Sequence, residues 1–236
     1  MNPILIITGG TKGIGKAVIT TFMANGFDVI TCARSEEDLL ALQKEMQLKF
    51  PTSRLLCKVA DLSIREDVSN FSNFIHDQTS VIDVLVNNTG VFIPGQVHNE
   101  SEGTLEKTIE TNVYSAYHLT RALLPSMMEN KSGHIFTICS TASITAYPNG
   151  GSYCISKYAL LGMTKVLREE MKPYGIRVTA ILPGATLTNS WSGTDLPEER
   201  FIDPLDVSES IYGAYNLSKR AVIEEILIRP QLGDLK

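Results

Sequence analysis

Residues 8–15 read Thr8-Gly9-Gly10-Thr11-Lys12-Gly13-Ile14-Gly15, between the apolar run Ile4–Thr8 and the amphipathic stretch Ile14–Asn25. Glycines placed between a strand and a helix in this way suit a phosphate. Gly9 permits a tight turn, Gly13 lets the backbone approach a pyrophosphate, and Gly15 lets the helix pack on the strand. The helix N-terminus adds free N–H groups and the positive end of its dipole. Three glycines alone would also suit a plain tight turn. The flanking strand and helix favour a dinucleotide cradle, in which Thr11, Lys12 and Ile14 are expected to share.

Further apolar runs lie at Asp28–Ala33, Arg54–Ala60, Val81–Asn87, His134–Cys139, Arg177–Leu182 and Glu224–Arg229. They are rich in Val, Ile and Leu with little polar alternation, as strands buried on both faces are. Helical stretches at Glu36–Phe50, Asp67–Thr79, Leu105–Glu129, Ser152–Lys172 and Asp206–Lys219 separate them. Gly26 stops the first helix; Ser35 caps the second and Pro51 ends it. This alternation predicts an α/β chain, a three-layer doubly wound Rossmann fold with a seven-stranded parallel sheet, in one domain over residues 1–236. Ligands of such sheets lie at the carboxyl ends of the strands, at the switch point of strand order. The loops after Thr8, Ala33, Ala60, Asn87, Cys139 and Leu182 are therefore the expected site.

The 236 residues are 43% hydrophobic and 20% charged, which supplies a large core and excludes a disordered chain. A net charge of −5 gives no general attraction to nucleic acid or to an anionic membrane. No run approaches the roughly 20 apolar residues of a membrane span. The start, Met1-Asn2-Pro3 before Ile4–Ile7, lacks the features of a signal peptide, so the cytoplasm is the expected location. Cys32, Cys57, Cys139 and Cys154 form no C-x-x-C pair and read as buried reduced thiols. His76, His98, His118 and His134 show no ligand spacing, so no metal is expected.

The end of the second strand discriminates between NAD and NADP, because an acid there would hold the ribose 2′-hydroxyl. The sequence is Thr31-Cys32-Ala33-Arg34-Ser35, with no acid before Glu36. Arg34, with Ser35 beside it, and Lys12 are suited to pair with a 2′-phosphate, which predicts NADP(H). The plainer alternative is that both are solvated surface cations.

Tyr153-Cys154-Ile155-Ser156-Lys157 sets a phenol and an ammonium at i and i+4, on one face of a helix. The ammonium favours the phenolate, which suits Tyr153 to exchange a proton with a carbonyl or alcohol oxygen. Tyr and Lys at this spacing are common on helix surfaces, so the pair gains meaning from its neighbours. Ser140 follows the strand run His134–Cys139, and its hydroxyl is placed to hold a substrate oxygen. Asn112 lies in the stretch Leu105–Glu129, where Asn is a poor helix former. Buried there, it would disturb the helix and seat a water leading to Lys157.

In order along nearly the whole chain, Thr8-Gly9 with Gly13 and Gly15, Asp61, Asn87-Asn88-Thr89-Gly90, Asn112, Ser140, Tyr153 with Lys157, and Pro183-Gly184 with Thr188 resemble the short-chain dehydrogenase/reductase family. The resemblance implies an Asn112–Ser140–Tyr153–Lys157 tetrad. Tyr153 would be the general acid/base, Ser140 would orient the carbonyl, Lys157 would act on Tyr153 and the nicotinamide ribose, and Asn112 would hold a relay water. It also implies cofactor contacts from Asp61 with Leu62, from Asn88 and Gly90, and from Pro183, Gly184, Thr186 and Thr188. Thr89 stands where the family usually has Ala, adding bulk and a hydroxyl near the cofactor. The implied reaction is reversible carbonyl/alcohol interconversion on a small molecule. The family further implies a homodimer or homotetramer through the helices Leu105–Glu129 and Ser152–Lys172. Ala116, Leu119, Ala159, Leu160, Met163 and Val166 suit that interface or, equally, the sheet.

Substrate choice is expected in a short loop, residues 185–205, and in the C-terminal tail. Trp191, the one tryptophan, either anchors the loop or offers a flat platform for a planar substrate. With His134-Ile135-Phe136, Ser152-Tyr153-Cys154 and the ending Glu224-Glu225 to Gly233-Asp234, it is similar to the bacterial sepiapterin reductases. That implies a pterin side-chain ketone held by Ser140, Tyr153 and Trp191, with Asp234 either a pterin partner or a solvated carboxylate. A 3-oxoacyl-[acyl-carrier-protein] reductase or a generic ketone/aldehyde reductase is the alternative. Asp195, Glu198, Glu199, Asp203 and Asp206 against Arg200 would repel an acidic carrier protein. A non-catalytic NADP sensor would be free to lose Tyr153 or Lys157, and both are present.

Overall fold

The computed structural model describes residues 2–188, 191 and 193–235. The strands are β1 (Ile4–Thr8), β2 (Asp28–Ala33), β3 (Leu55–Val59), β4 (Val84–Asn87), β5 (His134–Ile138), β6 (Arg177–Pro183) and β7 (Glu225–Ile228). The helices are α1 (Gly13–Ala24), α2 (Glu36–Lys49), α3 (Arg65–Gln78), α4 (Thr104–Ile109), α5 (Ser115–Asn130), α6 (Gly151–Met171) and α7 (Pro204–Tyr215). The strands form one parallel sheet in the order β3-β2-β1-β4-β5-β6-β7. Strand order reverses between β1 and β4, which opens the ligand crevice there.

The strands are apolar throughout because both faces are covered. In β1, Leu5 and Ile7 join a core with Val18 and Phe22 of α1, Met46 of α2 and Val207 and Ile211 of α7. Ile6, pointing the other way, joins Phe71 and Ile75 of α3, Leu119 and Leu123 of α5 and Leu167 of α6. Phe22 also makes edge-on ring contacts with Phe27 and Tyr212. His134 sits inside the sheet, with Nε2 2.7 Å from the Thr179 hydroxyl, and burial pushes its pKa down to about 2.

Helix ends follow local chemistry. Gly26 (φ +82°) and Phe27 donate to the Met23 and Phe22 carbonyls and close α1. The Ser35 hydroxyl accepts from the Asp38 N–H and starts α2. The last helix ends at Tyr215, short of the Lys219 expected from its pattern. The Arg177 guanidinium accounts for this by binding the carbonyls of Ala214, Tyr215 and Leu217, as a cation at a helix C-terminus does.

The helix expected over Leu105–Glu129 is three pieces. Between α4 and α5, residues Glu110–Tyr114 form a π-helical turn around Asn112. Of the residues assigned either to an oligomer face or to the sheet, Ala116, Leu119 and Leu160 are core, whereas Ala159 and Val166 are exposed. Cys57 is half-buried rather than buried; the other three thiols are buried, and all four are free. No helix among the described residues is long and apolar enough to cross a membrane.

At the end of the sheet remote from the crevice, Asp28 accepts from the Arg54 N–H (2.9 Å), the Arg54 guanidinium (2.8 Å) and the Asn2 carboxamide (2.9 Å). Burial alone would raise its pKa, but these hydrogen bonds outweigh it and hold the carboxyl below its ordinary value. A carboxylate lowered on folding contributes stability above its unfolded pKa, about 4, which is lost as pH falls through the folded value. Asp28→Asn is expected to cost about 1–3 kcal/mol at pH 7. The gap in urea midpoint from the unaltered chain should narrow below about pH 4. A gap that is constant from pH 7 to pH 3 would refute this.

Candidate active site

The crevice begins at the last residue of β1. The Thr8 hydroxyl accepts from the backbone N–H groups of Asn88 and Thr89, each at 2.9 Å. The Asn88 carboxamide returns to the Thr8 carbonyl (2.8 Å) and the Gly9 carbonyl (3.0 Å). Asn88 is thus a strut under the glycine loop, a role that its place in the motif did not disclose. Gly9 and Gly13 hold positive φ of 67° and 53°. A Cβ on Gly15 would overlap the Gly9 carbonyl and stand 2.7 Å from Asn88 Nδ2. One on Gly13 would stand 2.9 Å from Thr188 Cγ2, so the loop after β6 closes over the glycine loop.

The N-cap residue Lys12 does not cap α1 with its side chain, and no acid occupies the first turn. Its N–H groups thus face the crevice beside Thr11 and Ile14 with no competing anion of their own, which fits a pyrophosphate. Lys12 is exposed and pairs with Asp38 at 2.7 Å. Arg34 is exposed after β2, and among the described residues no ion pair holds it. Ser35 is occupied as the α2 cap. Asp61 accepts from the Ser63 N–H and hydroxyl (3.0 and 2.7 Å), which fixes its carboxylate after β3. The Leu62 side chain is buried in the core with Val68 and Phe71 of α3.

Tyr153 and Lys157 share a face of α6, with the Lys157 ammonium 5.7 Å from the phenol ring centre. Lys157 is buried, and Nζ donates to the Ile138 carbonyl at the end of β5 (2.8 Å). A Cβ on Gly90 would stand 3.6 Å from that Nζ and 3.4 Å from Asn112 Oδ1, so Gly90 borders both groups. Asn112 is fully buried. Its Oδ1 accepts from the Val91 N–H (2.7 Å), and its Nδ2 donates to the Val91 carbonyl (3.0 Å) and the Ser156 hydroxyl (2.9 Å). The expected disturbance of the helix is present as the π-helical turn. The Asn112 Nδ2 hydrogens are both used by protein partners, and its Oδ1 accepts one bond. Ser140 caps a short 3-10 turn, Thr141–Ser143, that packs on α6. Its hydroxyl accepts from the Ala142 N–H (3.1 Å) and keeps its proton to donate. Burial pushes the neighbouring Cys139 thiol up to about 11, so it stays protonated.

Several residues of the rim escaped sequence reasoning. Phe92 meets the Tyr153 ring edge-on at 4.9 Å. Tyr147 stands beside Gly150; burial first, then Tyr153 and Cys154, push its pKa above the ordinary value, leaving a neutral hydroxyl. The signal for Phe92 was its place just past Asn87-Asn88-Thr89-Gly90. The Trp191 ring packs on Phe201 (5.2 Å, tilted), and the Trp191 backbone N–H donates to the Thr188 carbonyl, which makes it an anchor of the loop. Asn189, Ser190 and Ser192 of the expected substrate loop lie outside the described residues. Gly184 donates to the Ile228 carbonyl, and Thr186 is buried and bridged to Ile202. The tail turns back so that a Cβ on Gly184 would stand 3.2 Å from Pro230 at the end of β6, beyond Pro183. Asp234 pairs with Arg229.

A family model described as short chain dehydrogenase matches residues 3–198. A sepiapterin reductase of Chlorobaculum tepidum is 32% identical, covering 100% of this chain and 99% of that one. A metagenomic short-chain oxidoreductase solved in complex with NADP superposes with a TM-score of 0.84 at 27% identity, over 97% of each chain. An alcohol dehydrogenase of the archaeon Thermococcus sibiricus, complexed with 5-hydroxy-NADP, shares the fold with a TM-score of 0.91 at 24% identity, over all of both chains.

Thr8→Val keeps the shape but leaves the Asn88 and Thr89 N–H groups without their acceptor. The expected loss is about 2–4 kcal/mol, from two unsatisfied donors, read as a lower urea midpoint. Thr8→Ser should restore most of it. Equal midpoints for Thr8→Val and the unaltered chain would refute a structural role for the Thr8 hydroxyl.

Proposed function

The chain belongs to the short-chain dehydrogenase family, and we propose that it reduces a small-molecule carbonyl to an alcohol with NADPH. One observation carries this: Tyr153 and a buried Lys157 share a face of α6 at the carboxyl end of the sheet, beside Gly90 and Asn112. NADPH supplies a hydride when bound. The uncapped first turn of α1 and the glycine loop would hold its pyrophosphate, and Arg34 would hold the 2′-phosphate. By the family resemblance Asn88, Gly90, Pro183, Gly184, Thr186 and Thr188 would border the bound cofactor; Asn88 props the glycine loop and Thr188 lies against Gly13.

As the carbonyl carbon is reduced, its oxygen would take the Tyr153 proton. Ser140 donates to that oxygen and fixes it beside the phenol. The Lys157 ammonium faces the tyrosine and stabilises the phenolate left behind. Its bond to the Ile138 carbonyl keeps it in place while charge moves.

For the substrate we infer a pterin side-chain ketone. The 32% identity to a sepiapterin reductase supports it, as do the aromatic Phe92 and Tyr147 beside Tyr153. The acidic residues of the substrate loop disfavour an acyl carrier protein as partner. Exposed Tyr114, Tyr117, Ile155, Tyr158 and Val166 on α5 and α6 and the turn before them support a homo-oligomer.

Two measurements test these assignments. NADPH oxidation with sepiapterin should be rapid and should fall by at least about 100-fold in Tyr153→Phe, which lacks the proton donor. Turnover that survives in Tyr153→Phe would remove Tyr153 as the acid, and none in the unaltered enzyme would remove the pterin. Separately, Arg34→Ala should raise the NADPH KM about 10- to 100-fold, the worth of a charge-assisted hydrogen bond. Lys12→Ala should do less, because Asp38 already answers its charge. The reverse ranking would overturn the cofactor assignment.

A further inference from the structure

The segment between Gly90 and α4 is fastened at both ends to catalytic elements. At its start, Val91 exchanges two hydrogen bonds with Asn112. Phe92 then lies against Tyr153. Gly95 bridges to Gly150 and donates to the Asn149 carbonyl (3.0 Å), just before α6 begins. Glu100 completes the attachment. Its Oε1 accepts from the Ser152 N–H at 2.8 Å, and its other oxygen accepts from the Ser152 hydroxyl.

This contact does for α6 what its own sequence does not. The N-cap residue is Gly150, which has no side chain, and no acid lies in the first turn. Glu100 brings an acceptor and a negative charge to that N-terminus from 52 residues away. Two glycines clear the slot it occupies. A Cβ on Gly95 would stand 2.6 Å from Glu100 Cγ, and one on Gly151 would overlap the carboxylate. Ser152, the residue it grips, is buried and directly precedes Tyr153.

We propose that Glu100 is a positioning residue for proton transfer: through Ser152 it fixes the first turn of α6, and with it the Tyr153 phenol beside Phe92. This rests on Tyr153 being the acid. Glu100 touches neither the cofactor cradle nor Lys157, so its removal should act on turnover and not on cofactor affinity.

The test compares Glu100→Ala and Glu100→Gln in the full chain. Glutamine keeps an acceptor for the Ser152 N–H and offers its NH2 to the Ser152 hydroxyl, so it preserves the geometry without the charge. Three quantities are read: amide exchange over residues 150–157, NADPH affinity, and kcat on a panel of ketones and aldehydes that includes sepiapterin. In Glu100→Ala, exchange should quicken and kcat should fall about 10- to 100-fold, the effect of a misplacement on the ångström scale. NADPH affinity should stay within about twofold, and Glu100→Gln should recover most of kcat. Unchanged exchange, a parallel loss of NADPH affinity and thermal stability, or a glutamine variant as slow as alanine would overturn the proposal. An unaltered enzyme that reduces none of the panel would overturn the carbonyl-reductase function instead, and the exchange rates would still decide whether Glu100 holds the helix.

Discussion

A single hydroxyl, that of Thr8, joins the two strands between which the sheet reverses its order. By accepting two backbone N–H bonds from the start of the loop after β4, it fixes that loop against the end of β1. The Asn88 carboxamide fastens the same junction from the other side by taking the Thr8 and Gly9 carbonyls. The glycine loop is thereby shaped by its neighbour as much as by its own glycines. Gly90, two residues beyond the strut, can then sit against Asn112 and Lys157. A change at Thr8 would reach both the nucleotide cradle and the reacting groups.

The side chains proposed for catalysis are held mostly by main chain. Lys157 binds the Ile138 carbonyl, Asn112 binds both polar atoms of Val91, and Ser140 takes the Ala142 N–H. Each of these groups would be expensive to bury without a partner, and each has one. The π-helical turn at Glu110–Tyr114 belongs to the same economy. A regular helix would carry Asn112 at another angle, and the three bonds of its carboxamide are what the irregular turn secures.

Much of this was legible in the sequence because the signals are local. β1 and β2 can be read to the residue, since a strand covered on both faces is apolar from end to end and a glycine loop or a polar turn ends it abruptly. The Tyr153–Lys157 face follows from helical spacing alone. The break in Leu105–Glu129 was foreshadowed by one poor helix former, though not its π geometry, which depends on Val91 and Ser156. What remained hidden is non-local. The Lys12–Asp38 pair, the core-facing side chain of Leu62 and the packing of Trp191 on Phe201 are settled by neighbours that spacing does not reveal. The end of α7 likewise depends on Arg177, a residue of β6.

The acceptor that holds Lys157 is a peptide carbonyl, at the register position where β5 meets Ile181 of β6. No side-chain substitution can delete a peptide carbonyl. The position of the ammonium is therefore inherited from the sheet itself, and it is insulated from divergence in the loops that surround it. Side chains in the segment after β6 and in the chain terminus can be changed without removing the carbonyl that seats the ammonium. If the proposed roles hold, selectivity and proton chemistry are separable traits in this scaffold, with the seam between them along the end of β5.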